Sequence, residues 1–295
     1  MRCLAIFDTM KKESMQISFD GQSHQIDANT LVNMLIHYGA IIQQANSELS
    51  GGSRNVQVNI NAFKEGSFVV DICLTESLKS IFSTDTVVYL AGLVTTVEGV
   101  FKLYKRFKGK PIDEKDSHNI SVDVKGNNVT IKNVVNIYND RVVRSAISKS
   151  IETANEDISV EGITISGSDI NPITFSRNEF PDLIYTDFDS EADLPDEIEE
   201  DVDATLVIVG LKFEKKGKWE FIYNGFKISM IVKDDALMRE IDNGARFGKG
   251  DAIEVKMKII KKFNPEYGVY ENKSYKILEF YKHIIYKKPS QANMF

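Results

Sequence analysis

The sequence predicts an α+β protein in three parts. An N-terminal unit of ββαββ type carries a long apolar helix, a small βα subdomain follows, and a five-stranded all-β barrel of OB or SH3-like type ends the chain. Three observations predict this. Blocks of strict alternation and blocks of 3–4 apolar spacing succeed one another along the first 186 residues. From residue 204 onward nearly every block alternates. Between them lies Asp187–Asp203, which holds ten carboxylates and no lysine or arginine. The expected boundaries are 15–110 and 117–186 for the two N-terminal parts, 187–203 for an acidic linker, and 204–288 for the barrel.

The elements can be justified in order. Ile17 and Phe19 alternate with polar residues, and Asp20-Gly21 supplies a tight-turn pair, so 15–27 reads as a β-hairpin. Asp27 or Asn29 caps a helix whose apolar face is Leu31, Met34, Leu35, Tyr38, Ile41, Ile42, Ala45 and Leu49. Ser50-Gly51-Gly52-Ser53 ends it. Val56, Val58 and Ile60, then Phe68, Val70, Ile72 and Leu74, alternate as two further strands.

Residues 86–107 form the longest apolar helix, with Glu98 and Lys102 as the only charges before Lys105. Val87, Leu90, Val94, Val97, Phe101 and Tyr104 fall at heptad-like spacing, which makes them candidates for self-association. Ala91, Thr95 and Gly99 line a second, small-residue face. The competing readings are a buried core helix and membrane insertion of 86–104. Lys105, Arg106, Lys108 and Lys110 suit the negative end of the helix dipole.

In 117–186, Ile120, Val122 and Val124 alternate, Lys125 to Asn128 turn, and Val129 and Ile131 return. A helix begins near Asn139-Asp140, with Val142, Val143, Ala146, Ile147 and Ile151 inward. Ile158, Val160, Ile163 and Ile165 read as more strand. Beyond the acidic run come a strand broken at Gly210 and the pair Trp219–Tyr223 and Phe226–Val232 around Asn224-Gly225. A short helix is expected at 234–242, and strands at 252–260 and 275–285.

Charge divides the chain as the pattern does. The net charge is −7, yet residues 1–186 carry −4, the acidic run −10 and residues 204–295 +7. A basic barrel beside an acidic strap predicts that the strap screens the barrel. Single strands bind barrels where aromatic faces line a basic groove, but Trp219, Phe221, Tyr223 and Phe226 sit at the alternating positions that a small barrel core requires, which leaves Lys215, Lys216, Lys218, Lys256, Lys258, Lys261 and Lys262 as the candidate nucleic-acid-binding surface.

Chemistry has little purchase. Cys3 and Cys73 form no CxxC, and the four histidines have no ligand spacing, so no metal or cofactor is expected. The acidic run fails as a calcium loop: counted from Asp187, position six is Ala192 and position twelve is Ile198. Gly244 to Asp251 lacks phosphate-loop spacing and precedes a strand. No catalytic residue is assigned. Cys3–Phe7 is too short for a signal-peptide core, and cysteine usage fits a reducing cytoplasm.

Asn61–Phe68, the apolar helix after it, Gly126–Ile131 and Phe247–Asp251 together resemble a family of bacterial proteins from phage-derived or mobile regions. That family pairs an N-terminal α+β domain with a C-terminal five-stranded barrel. The resemblance implies a role in phage–host conflict by association and carries no site residue over. The expectation is a cytoplasmic, non-enzymatic binding or assembly protein, homo-oligomeric through 86–107, with the barrel recognising a protein partner. The alternatives are a single-stranded nucleic-acid binder and a membrane-perturbing effector.

Overall fold

The computed structural model describes residues 13–21, 26–51, 54, 56–61, 68–76, 84–113, 116, 120, 130–167, 171–190, 194–212, 218–223, 226–232 and 235–285. These form an α+β protein with two five-stranded antiparallel sheets and six helices among the described residues. Two compact units emerge. The first comprises 1–51, 56–196 and 263–270; the second comprises 52–55, 197–262 and 271–295.

In the first unit, β1 (Glu13–Asp20), α1 (Ala28–Ser50), β2 (Val56–Asn61), β3 (Phe68–Glu76) and α2 (Thr84–Phe107) follow the predicted order. Asp27 caps α1 by accepting from the Asn29 and Thr30 amides, and Gly51 ends it in the left-handed region at φ 58°. The predicted hairpin at 15–27 is corrected. β1 pairs instead with β3 and β4 in the sheet order β2-β3-β1-β4-β5. Gly21 is needed there for close approach, since a Cβ at that position would lie 2.2 Å from the Ser159 carbonyl oxygen.

A second correction concerns Ile131. It opens α3 (Ile131–Asn139) rather than ending a strand, because the Thr130 hydroxyl accepts from the Asn133 amide and caps a helix. The proposed turn at 125–128 and the strand before it lie outside the described residues, apart from Ile120. Asp140 then caps α4 (Arg141–Glu156) through the Val142 and Val143 amides. β4 (Gly162–Gly167), β5 (Ile173–Ser176) and α5 (Phe180–Leu183) complete the unit. Ile158, read as strand, is 88% exposed in the turn before β4.

Helix α2 is the centre of this unit. It contacts β1, β3, β4 and β5 on one side and α1, α3 and α4 on the others. From Gly92 to Phe101 every residue is buried. The apolar residues of 15–110 and 131–183 therefore share one core, built around Met15, Ile17, Tyr38, Phe101, Tyr104, Tyr138 and Phe175. The loop Phe263–Tyr270 also belongs here, with Val269 in the core and the Lys149 ammonium donating to the Pro265 and Glu266 carbonyls.

The second unit is a sheet in the order β10-β9-β6-β7-β8, with β6 (Glu197–Gly210), β7 (Lys218–Tyr223), β8 (Phe226–Ile231), α6 (Asp235–Asp242), β9 (Ala252–Asn264) and β10 (Val269–Ile284). Its core gathers one face: Leu206, Ile208, Trp219, Phe221, Met230, Ile253, Val255, Met257 and Ile277, with Leu237 of α6. The ladder shifts register between Ile208 and Gly210, where β6 ends. Among the described residues no pairing joins β8 to β10.

The acidic linker expected at 187–203 is corrected over its last seven residues. Residues 197–203 are the first half of β6, the central strand. Glu197, Asp201 and Asp203 stand directly opposite Lys262, Lys258 and Lys256 of β9. Alternation sends Glu197, Glu199, Asp201 and Asp203 to the exposed side, while Val202 and Ala204 enter the core. A carboxylate row tolerates strand pairing when its cross-strand neighbours are cationic.

Candidate functional site

The residues predicted to mediate self-association lie inside the first unit. Leu90, Val94, Val97, Phe101 and Tyr104 are each 5% exposed or less and belong to its own core; Val87 is half-buried. The seam is filled by the sheet and by α3, so it offers no apolar face to a second chain. One helix among the described residues, Asp85–Phe107, is long and apolar enough to cross a membrane, and 78% of its apolar window is buried by the rest of the chain. Its basic end is also spent internally. Lys105 pairs with Glu179 and donates to the Thr174 carbonyl, and Lys108 pairs with Asp182. Glu98, the charge in the apolar run, is buried against Gly167, where a Cβ would sit 1.8 Å from its Oε1.

Of the seven candidate nucleic-acid-binding lysines, Lys215 and Lys216 lie outside the described residues and Lys218 is exposed at the start of β7. The other four face the acidic strand. Lys256 and Lys262 are opposite Asp203 and Glu197. Lys258 pairs with Glu199 and Lys261 with Glu200. The ladder extends further, since Lys273 pairs with Glu197 and the Tyr281 hydroxyl donates to Asp203. The five carboxylates of 197–203 reduce the +7 of residues 204–295 to +2. Residues 197–203 thus meet the lysines of β9 as part of the sheet.

A compact polar cluster does stand out in the second unit. The loop before β9 returns on Asp251, which is buried. Asp251 Oδ2 accepts from the Gly248 amide at 2.8 Å and lies 3.0 Å from His283 Nε2 of β10. The His283 ring stacks on Phe247 at 4.2 Å, and Phe247 meets Trp219 edge-on at 6.2 Å. The Asp251 carbonyl accepts from the Ile208 amide, and the Gly250 amide donates to the Ile208 carbonyl. These contacts pin 247–251 to the sheet and leave Arg246 and Lys249 exposed on it. The sequence showed the turn but not His283, which is 32 residues away.

The first unit buries further ionisable groups. Arg144, 2% exposed, donates to the Gly109 carbonyl at 3.1 Å and lies 5.8 Å from the Phe188 ring. Tyr104 and Tyr138 stack edge-on beside it and donate to the Leu183 and Lys110 carbonyls. Burial pushes the Tyr104 hydroxyl up to about 12, opposed in part by hydrogen bonding and the Arg144 charge. Arg177 holds three carbonyls, those of Asn155, Asp157 and Val160. The Asp157 carboxyl is raised by burial, but bonds from Ser159 and the Asp27 amide prevail and hold it below its ordinary value. A polar recess of about 300 Å³ is lined by Gln44, Glu48, Asn136, Ile137, Asn139 and Asp140. Gln44 bonds Asp140, Asp140 caps α4, and Asn139 bonds Ile112, so these side chains already serve the fold. Among the described residues no three of His, Cys, Asp and Glu gather as a metal site.

His37 gives a test of this packing. Burial, and then the charge of Lys149, depress its pKa from 6.5 to about 4. The fold therefore favours the neutral ring, and the unfolded chain takes the proton first. Stability should be full above pH 6.5 and fall by up to about 3 kcal/mol as pH drops from 6.5 toward 4, at 1.36 kcal/mol per pKa unit. Urea melts at both ends of that window should show the loss, and His37→Gln should flatten it. An equal loss in the variant would assign the effect to other groups.

Compared with family models, curated proteins and solved structures, the chain matches none.

Proposed function

We propose that this chain is a binding and assembly protein, with assembly on the first unit and recognition on the second. The pinned loop 246–251 carries the reading. A half-buried Asp251–His283 contact and two aromatic rings fix a short turn on which Arg246 and Lys249 remain exposed. A fixed pair of cations loses little side-chain and backbone freedom when it meets an anionic partner. The five strands are read as a barrel of OB or SH3-like type. A single sheet that buries one face under one eight-residue helix has little else to cover it, so curling on itself is the economical solution.

The surroundings favour an anionic partner reached through Arg246 and Lys249 over the lysines of β9, whose charges meet carboxylates. The cytoplasm remains the proposed setting, in keeping with a sequence that has two cysteines and no CxxC. Membrane perturbation has no comparable support, because α2 would have to leave its own core.

The full chain should be retained on immobilised heparin at low salt. Arg246→Glu/Lys249→Glu should elute much earlier with an unchanged melting temperature, because phosphate and sulfate contacts are strongest at low ionic strength. Equal retention of both proteins would sink the assignment to this loop. Filter binding with a single-stranded oligonucleotide then separates nucleic acid from other anionic partners.

A further inference from the structure

Strand edges distinguish one surface of this molecule from the rest. Each sheet has two edges, and an edge strand exposes a row of backbone donors and acceptors to any other strand. Folded proteins guard such rows with charge, proline, bulges or brevity. Three of the four edges here are guarded. β5 is four residues long, and the Lys105 ammonium binds its Thr174 carbonyl. β8 carries Lys227, paired with Glu220. β10 carries Lys273 and Lys282, paired with Glu197 and Glu254.

The fourth edge is β2, Val-Gln-Val-Asn-Ile-Asn from Val56 to Asn61. It has no charge, no proline and no glycine. All six residues pair with β3 on one side. On the other side, the bond from the Gln43 amide to the Val56 carbonyl is the only hydrogen bond to its backbone from outside the sheet among the described residues. Ile60 is 48% exposed, a large apolar side chain at an uncharged edge.

We propose that β2 pairs antiparallel with β2 of a second copy of this chain, joining two five-stranded sheets across a two-fold axis. This deepens the assembly reading above and moves its surface from α2 to β2. The strand is complementary to itself. Val56, Val58 and Ile60 share the core side and Gln57, Asn59 and Asn61 the outer side. The two longest registers that keep these sides matched, each pairing five residues of β2, are centred on Val58 and on Asn59. Centred on Val58, Val56 meets the partner's Ile60 and Gln57 meets the partner's Asn59. Centred on Asn59, Val58 meets the partner's Ile60 and Gln57 meets the partner's Asn61. Either one sets apolar against apolar and amide against amide, with no like charges opposed. A charged or proline-bearing foreign strand would gain less from this edge than a second copy does, so self-pairing is the occupant the composition selects.

Light scattering during size exclusion, on the full chain over a dilution series, tests the proposal. Wild type should run with the mass of two chains at high concentration and dissociate on dilution. Asn59→Lys and Ile60→Lys, both at exposed positions, should run as monomers with unchanged circular dichroism. Thr174→Lys, on the guarded β5 edge, should remain a dimer. A wild type that stays monomeric to its solubility limit overturns both this proposal and the assembly reading. A dimer that survives Asn59→Lys and Ile60→Lys overturns the β2 surface and leaves assembly standing. A dimer lost equally in Thr174→Lys overturns the surface as well.

Discussion

Val97→Asp should unfold the first unit. Val97 is 1% exposed on a helix enclosed by four strands and three other helices. An aspartate there loses the valine's packing and must either bury a charge or take up a proton. Substitutions of this kind lie in the rare class that cost more than about 4 kcal/mol, against a typical total of about 5–15 kcal/mol for a domain. Near-ultraviolet circular dichroism and a thermal melt should show loss of the cooperative transition for this unit. A folded monomer with a wild-type melt would return the seam to its role as an intermolecular surface.

Deleting 187–203 should unfold the second unit. As a linker, the segment would be removable at small cost. Its last seven residues, 197–203, are the first half of β6 and supply seven consecutive pairs with β9 and the buried Val202. Its removal leaves Lys256, Lys258, Lys261 and Lys262 beside one another without the carboxylates now facing them, and strips the centre of the sheet. Tryptophan emission reports on it directly, because Trp219 is 2% exposed in that core. The expected result is a red-shifted emission at all temperatures. A native spectrum in the deletion variant would restore the linker.

Both results bear on how far the fold was legible in the sequence. Capped amphipathic elements were: Asp27 before α1, Asp140 before α4 and the alternation of β7, β8 and β9 located themselves by local rules. Pairing was not. Asp20-Gly21 looked like a hairpin turn, whereas the glycine admits the Ser159 carbonyl from a distant loop. The heptad-like spacing of α2 is what a helix buried on all sides also displays, and spacing alone says nothing of what covers it. The acidic run reads as a solvated linker when its repulsion is counted without the lysines of β9, 53 to 65 residues away, that face its last seven residues. A separation of 32 residues likewise hid the Asp251–His283 contact. Edge β2 was legible as a strand, but only the sheet order made it an edge.

The apolar helix and residues 197–203 of the acidic run are thus spent on the protein's own architecture, and assembly is proposed for the uncharged edge β2. Hydrogen–deuterium exchange of the full chain at two protein concentrations tests that account most directly. Amides of α2 and of 200–206 should be protected equally at both, while those of β2 should gain protection at the higher concentration only. Concentration-dependent protection of α2 with none at β2, or free exchange throughout 197–203, would contradict it.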